Sequence, residues 1–356
     1  MLDRRQVHRG LVMVLKIVIA VAACSFLVRT LRGVDWEQVR AALGRLTLLQ
    51  MALLLVLVGL RQALNATPMA VFITGLGLRR AVTGDLSAIV VSTAAPPPSD
   101  IVLRFSMFRS WGIDDLRGVV GVSLNTLVYY IIRFAAPVLG FLVLLAFEEY
   151  HATYAITAAV SGLVAVAIAV SLVLVVHADR FAAGIGRLGG RIGHRFRPQQ
   201  VDPDNWAAAM VRFRSNASER LHAGSGGASL ALLALLLTEA LFITSTMRFM
   251  GVPSVELTLA EILAGFLCVY PLTALPFAGI GILDAALLGL YLERGATDEP
   301  TLIAALLVWR LATVLLPLGL GLGTLLIWRH AHPDEASRAR SAGQRSDTSL
   351  RRYPTS

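Results

Sequence analysis

Two apolar segments, 92–105 and 270–288, are interrupted by proline and carry an acidic residue within hydrophobic sequence. Proline removes a backbone N–H donor and stops a helix, and at membrane depth the freed backbone groups need protein or water as partners. The pattern predicts two re-entrant hairpins that surround a polar cavity, with proline-kinked continuous spans as the alternative. The residues expected to form this site are Pro98, Asp100, Pro276, Gly279, Gly281 and Asp284.

Asp100 and Arg104 are four residues apart, a spacing that puts both side chains on one helix face and lets them pair. Arginine donates two parallel hydrogen bonds from a planar group, which suits a phosphate. The spacing favours a site in which Arg104 receives a lipid phosphate and Asp100 orients it. The alternative is a carboxylate at a helix start that happens to lie beside an arginine.

Four further ionisable side chains lie within apolar runs that suit membrane-spanning helices. Ionised groups at membrane depth are costly and usually face a cavity or one another, which makes them functional candidates. Structural ion pairs are the alternative, and the spacing leaves open which acid meets which arginine. The four residues are Arg133, Glu239, Glu261 and Arg310.

The composition indicates which solvent surrounds these groups. Of the 356 residues, 56% are hydrophobic and 15% are charged, whereas a soluble domain is typically about a quarter charged. We expect an all-α, polytopic bundle of transmembrane helices with two inverted re-entrant helical hairpins. The long apolar runs are 11–28, 46–60, 118–147, 153–176, 229–247 and 301–328, with less regular segments at 66–77, 82–109 and 257–292.

The arginines set the expected topology, because Lys and Arg accumulate in cytoplasmic loops. We expect cytoplasmic N- and C-termini, a transmembrane domain over 1–330 with a basic cytoplasmic loop at 177–228, and a disordered tail at 331–356. Segment 82–109 then enters the bilayer from the inside and 257–292 from the outside, as in inverted-repeat transporters. The expected location is a bacterial plasma membrane.

The net charge of +9 and the pI of about 10.3 describe a basic protein. Because the arginines lie mainly between apolar runs, they favour anionic lipid headgroups over nucleic acid as partners. The sequence contains no metal-ligand spacing, Walker loop or nucleophile elbow. We therefore expect no cofactor, no metal and no enzymatic activity.

Three motifs together suggest a family. They are Pro98-Ser99-Asp100 followed by Arg104, the stretch PFAGIGILD from Pro276 to Asp284, and Arg310 followed by Pro317. This set resembles the lysylphosphatidylglycerol synthase transmembrane-domain family, a group of flippase-like integral membrane proteins, over roughly residues 10–330. The chain departs from the family pattern at Asp284, where glutamate is usual, and at Ala278-Gly279, where two glycines are usual. The acid-to-arginine spacing of the first motif is four, where three is common.

The resemblance implies a translocase that moves an anionic phospholipid or a polyprenyl-linked lipid across the membrane. Two-part members of the family add a soluble aminoacyl-transferase domain after the membrane body. Only 26 residues follow position 330, so we expect this chain to lack that domain. The alternatives are a membrane-embedded transferase that acts on lipid, and an accessory membrane subunit of a separate lipid or glycan synthase.

Overall fold

The computed structural model describes residues 46–94, 99–147, 152–177, 203–275, 279–294 and 299–333, together with the isolated positions 37, 44, 184 and 187. Within these ranges the regular structure is helical and includes no strand. The expected all-α fold class is therefore confirmed. The predicted span 11–28, and the predicted tail from position 334 onward, lie outside the described residues.

The helices follow one another in chain order, with short breaks at the proline-rich positions. Helix α7 continues into a 3₁₀ turn (Tyr270–Ala274), and α9 continues through a π-helical turn (Leu311–Leu315) into α10. The helices are α1 (Leu48–Phe72), α2 (Gly77–Ala94), α3 (Ser99–Ser110), α4 (Asp115–Ala146), α5 (Ala152–His177), α6 (Pro203–Met250), α7 (Leu259–Val269), α8 (Ile282–Glu293), α9 (Glu299–Arg310) and α10 (Leu316–Ala331).

Five of the described helical stretches are long and apolar enough to cross a membrane. They include the predicted runs 118–147 and 153–176 as α4 and α5, and 301–328 as the stretch from α9 to α10. Helix α5 exposes large apolar side chains such as Val160 and Leu163. Such a surface is stable against lipid and unfavourable in water. The chain is a multi-pass helical membrane protein.

Two helix starts are fixed by capping side chains. Thr47 and Gln50 exchange side-chain and backbone hydrogen bonds at the start of α1, which is a capping box. Asp114 accepts a hydrogen bond of 2.9 Å from the Arg117 N–H at the start of α4. Both caps satisfy N–H groups that a helix leaves unpaired in its first turn.

Helix α1 joins two segments that the sequence analysis separated. The expectation of a span at 46–60 and a second segment at 66–77 is wrong, because α1 runs unbroken with Pro68 inside it. Membrane helices tolerate an internal proline when neighbouring helices or polar side chains satisfy the freed carbonyl. Arg61 therefore lies in the middle of a membrane helix rather than in a cytoplasmic loop.

Helix α6 is longer than its apolar part. The expected basic loop at 177–228 is wrong in its second half, because α6 begins at Pro203 and continues for 48 residues. Proline is favoured in the first turn of a helix, where its missing N–H would be unpaired anyway. At 1.5 Å per residue α6 is about 72 Å long, more than twice the hydrocarbon thickness of a bilayer. Its N-terminal half therefore extends beyond the membrane.

The second proline-interrupted segment is broken where the sequence predicted, because α7 passes into a 3₁₀ turn at Tyr270 and α8 begins only at Ile282. In the first segment α2 is described to Ala94 and α3 from Ser99, and the prolines between them lie outside the described residues. Helices α3 and α8 have 12 residues each, which gives a length of about 18 Å. A bilayer core is about 30 Å thick, so neither helix alone can cross it. Entry and exit on one face of the membrane stay a prediction.

The order of long and short helices repeats in the two parts of the chain. The first half holds a long helix, a broken segment and a long helix (α1, α2 with α3, and α4), and the second half repeats this order (α6, α7 with α8, and α9 with α10). Helix α1 packs against α6, α4 packs against α7, and α2 packs against α10. The broken segment of each half is therefore held by the last helix of the other half.

Gly321 allows α10 to approach α2 closely. A Cβ atom at Gly321 would lie 2.2 Å from the carbonyl oxygen of Leu86, well inside van der Waals contact. We predict that Gly321→Ala destabilises the protein by about 1–3 kcal/mol through overpacking, seen as a lower thermal unfolding temperature in detergent. Gly323→Ala is the matched control, because an added Cβ meets nothing within 4 Å there. Equal unfolding temperatures for the two variants would contradict this packing.

Candidate functional site

A polar cavity of about 80 Å³ lies between helices of both halves and brings together three arginines. Arg61 comes from α1, Arg133 from α4 and Arg310 from the end of α9. Arginines at membrane depth are costly and rarely converge without an anionic partner. The remaining lining residues are Tyr129, Glu239, Phe266, Tyr270, Thr273, Trp309, Thr313 and Val314.

Arg61 and Glu239 form an ion pair across the contact between α1 and α6. The Arg61 Nε donates to the Glu239 carboxylate at 2.6 Å, and the Glu239 side chain is only 6% exposed. The Arg61 Nη1 also donates to the side chain of Gln62 at 2.7 Å. Arg61 and Glu239 each lie eleven residues before the last residue of their helix, Phe72 or Met250. The pair thus occupies equivalent positions of the two halves.

Arg133 enters the cavity from the middle of α4. Its guanidinium lies over the rings of Tyr129 and Tyr130, at 4.5 Å and 5.3 Å from the ring centroids. Such cation–π contacts hold an arginine in place without neutralising its charge. The Arg133 Nε is buried and has no hydrogen-bond partner within the described part of the chain. One donor of this arginine is therefore left for a further acceptor.

Asp284 joins the second broken segment to the cavity. One carboxylate oxygen accepts from the Arg310 Nε at 2.5 Å, and the other accepts from the Gly281 N–H at 2.8 Å. Gly281 has φ 85°, a backbone conformation that favours glycine. Gly279 has φ 68°, and a Cβ there would lie 2.6 Å from the Leu272 carbonyl oxygen. The glycines thus shape the turn that aims Asp284 at Arg310.

Aromatic side chains form part of the cavity lining. Phe266 packs edge-on against Tyr270 and against Trp309, with ring centroids 5.4 Å and 6.0 Å apart. Trp309 is 3% exposed, and its indole N–H is buried without a hydrogen-bond partner among the described residues. Thr313, within the π-helical turn, lies beside it in the cavity lining. A π-helical turn of this kind is frequent at functional sites.

The first broken segment is held by a different ion pair. Arg104 donates from Nη2 to the Asp85 carboxylate at 2.7 Å, and Asn65 donates to the other oxygen of Asp85 at 2.6 Å. The expected pairing of Arg104 with Asp100 is therefore wrong, because Asp85 on the facing helix α2 takes the guanidinium. Asp100 lies in the first turn of α3, where a carboxylate favours the N-terminal end of the helix dipole. Neither Arg104 nor Asp100 lines the cavity.

Glu261 is a capping residue rather than a cavity residue. Its carboxylate accepts hydrogen bonds from the Thr258 N–H and hydroxyl at 2.8 Å and 2.9 Å, which completes a capping box at the start of α7. Glu261 is not among the residues that line the cavity, and its place in a translocation path stays a prediction. Pro98 and Pro276 lie outside the described residues.

Of the residues chosen from the sequence, Arg133, Glu239 and Arg310 line the cavity, and Asp284 reaches it through Arg310. The expectation that both broken segments line one cavity holds only for the second, which contributes Tyr270 and Thr273. The sequence analysis missed Arg61 because it placed the arginine at the end of a span. Reading the chain as helical through Pro68 would have marked Arg61 as an intramembrane charge.

The fold and this site define a multi-pass α-helical membrane protein with an arginine-rich cavity where its two halves meet. Comparison of the chain with protein-family models, with curated proteins and with solved structures finds no match. The resemblance to the lysylphosphatidylglycerol synthase transmembrane-domain family stays a prediction.

Proposed function

We propose that this protein is a lipid translocase that moves an anionic phospholipid or a polyprenyl-linked lipid across a bacterial plasma membrane. The observation that carries the proposal is the convergence of Arg61, Arg133 and Arg310 on one cavity between membrane helices. Arginine is the side chain best suited to phosphate. Two of the three have internal carboxylate partners, Glu239 and Asp284, and burial of the third, Arg133, without an anionic ligand would be costly.

The arrangement of the two halves supports the same function. Inverted-repeat transporters place their substrate site near the midplane, where the repeats meet and where helices are interrupted. Here the pair of Arg61 and Glu239 joins equivalent positions of α1 and α6, while the interrupted segment after α7 contributes Tyr270 and Thr273. The phosphate would enter this cavity while the acyl chains stay in lipid, which avoids transfer of a bare charge through hydrocarbon.

For the phosphate to move through the cavity, its contacts with the arginines must be strong enough for it to enter and weak enough for it to leave. Arg61 and Arg310 already hold internal carboxylates at 2.6 Å and 2.5 Å. These carboxylates compete with the ligand phosphate for the same guanidinium groups and limit how tightly it binds. Arg133 forms no ion pair among the described residues, so a phosphate would bind it without competition from a carboxylate.

The test is translocation of a fluorescent phosphatidylglycerol in proteoliposomes, followed by dithionite quenching of the outer leaflet. We expect Arg133→Gln to slow translocation at least about tenfold, because it removes a charge-assisted contact to phosphate. Arg109→Gln is the matched control, since Arg109 is 58% exposed and pairs with Asp115 away from the cavity. Translocation by wild type no faster than in protein-free vesicles, or equal rates for both variants, would contradict the proposal.

A further inference from the structure

We infer that the cavity selects a phosphate group with one negative charge, a phosphodiester, over phosphates that carry two or more charges. This inference rests on the proposed function and narrows its substrate class. It favours lipids whose phosphate is a diester, such as phosphatidylglycerol, and it disfavours phosphomonoester and diphosphate lipids.

The first argument is the charge balance of the cavity. Three arginines are opposed by Glu239 on the lining and by Asp284, which binds Arg310 from the second broken segment. The undescribed residues 276–278 in the same segment are uncharged by sequence. Among the described residues, the side chains that line the cavity or form ion pairs with its arginines therefore leave one net positive charge. A single phosphodiester charge neutralises it, whereas a second charge would be buried without compensation.

The second argument is which polar atoms lack a partner. Among the described lining residues, the Arg133 Nε–H and the Trp309 indole N–H are buried donors without an acceptor. Buried donors are nearly always paired in folded proteins, so these groups call for acceptor oxygens. The non-ester oxygens of a phosphodiester are acceptors that need no proton from the protein.

The third argument is size. The cavity volume of about 80 Å³ corresponds to roughly five water-sized positions at about 15 Å³ each. A phosphate group has four oxygens and fits this space.

The test compares two fluorescent lipids in the same proteoliposome preparation at pH 8. Phosphatidylglycerol carries one charge, and phosphatidic acid, a phosphomonoester, carries about two. The measured quantity is the ratio of their translocation rates, which does not depend on the fraction of protein that is folded. We expect wild type to favour phosphatidylglycerol, and Glu239→Gln to shift the ratio toward phosphatidic acid by about tenfold, because it adds one net positive charge to the cavity.

Arg109→Gln should leave the ratio unchanged, since Arg109 lies outside the cavity. Translocation of both lipids with a ratio that Glu239→Gln does not shift would overturn the inference and leave the proposed function intact. If neither lipid were translocated, the proposed function itself would be overturned. Uptake of labelled inorganic phosphate by the same vesicles, without lipid translocation, would identify a free anion as the ligand and overturn both.

Discussion

An Asp85→Leu substitution should destabilise the folded protein by about 3–5 kcal/mol, because it leaves the Arg104 guanidinium buried without a counter-charge. The two side chains are only 13% and 16% exposed, and Asn65 donates to the same carboxylate. The pair also joins α2 to α3 across the first break, so its loss should loosen that segment. Thermal unfolding of the purified protein in detergent measures the effect.

The control for Asp85→Leu is Asp115→Leu, because Asp115 pairs with Arg109 at an exposed site, 56% and 58% accessible. An exposed pair should contribute at most about 1 kcal/mol. The double variant Asp85→Leu/Arg104→Met removes both charges and should recover most of the lost stability. Similar unfolding temperatures for Asp85→Leu and Asp115→Leu would show that the Asp85–Arg104 pair is not buried as described.

An Asp284→Ala substitution should cost about 3 kcal/mol of stability and slow lipid translocation by about 100-fold. Asp284 neutralises Arg310 and also accepts the Gly281 N–H at the start of α8, so both interactions are lost together. We expect faster hydrogen–deuterium exchange over 279–294 and a lower unfolding temperature. Asp100→Ala is the matched control, because Asp100 is also an acidic residue in the first turn of its helix, α3, and is not among the residues that line the cavity.

A second variant separates the structural role of Asp284 from its functional role. Asp284→Ala/Arg310→Met removes the unbalanced charge and should regain stability, while translocation stays low because a cavity arginine is gone. Wild-type translocation in this double variant would exclude Arg310 from the path. Equal exchange rates over 279–294 in wild type and Asp284→Ala would exclude the capping role.

Hydropathy and proline placement were sufficient to predict the helical fold and the break in the second segment. Long apolar runs identify helices that lipid can surround. Two prolines close together with glycines interrupt the helix at 270–281, whereas the single Pro68 is accommodated within α1. The error at α1 has a physical origin, because Arg61 ends an apolar window and resembles the edge of a membrane span. Its compensating partner Glu239 lies 178 residues away, so no local pattern reveals that the charge is neutralised.

The partner of Arg104 shows the same limit at shorter range. The spacing predicted Asp100, four residues earlier, as the ion-pair partner of Arg104. In the folded chain the partner is Asp85 on the adjacent helix α2, and Asn65 donates to the same carboxylate. A carboxylate at a helix start is already stabilised by the N–H groups of the first turn, so it gains less from an ion pair with an arginine. The rule that charges within membrane helices are functional candidates selected Arg133, Glu239 and Arg310, and all three line the cavity. Nothing in the sequence separates Trp309 from an ordinary core aromatic.

The π-helical turn at Leu311–Leu315 gives the last membrane helix two different partners. Helix α9, before the turn, packs against α6, and α10, after it, packs against α2 of the opposite half. A residue inserted into an α-helix offsets the following face by about 100°. Arg310 and Thr313 contact the cavity at this junction. A ligand that converted the π-helical turn into regular α-helix would therefore rotate α10 about its axis and disrupt its packing against α2. Occupancy of the cavity would in this way change the contact that holds the broken segment of the opposite half.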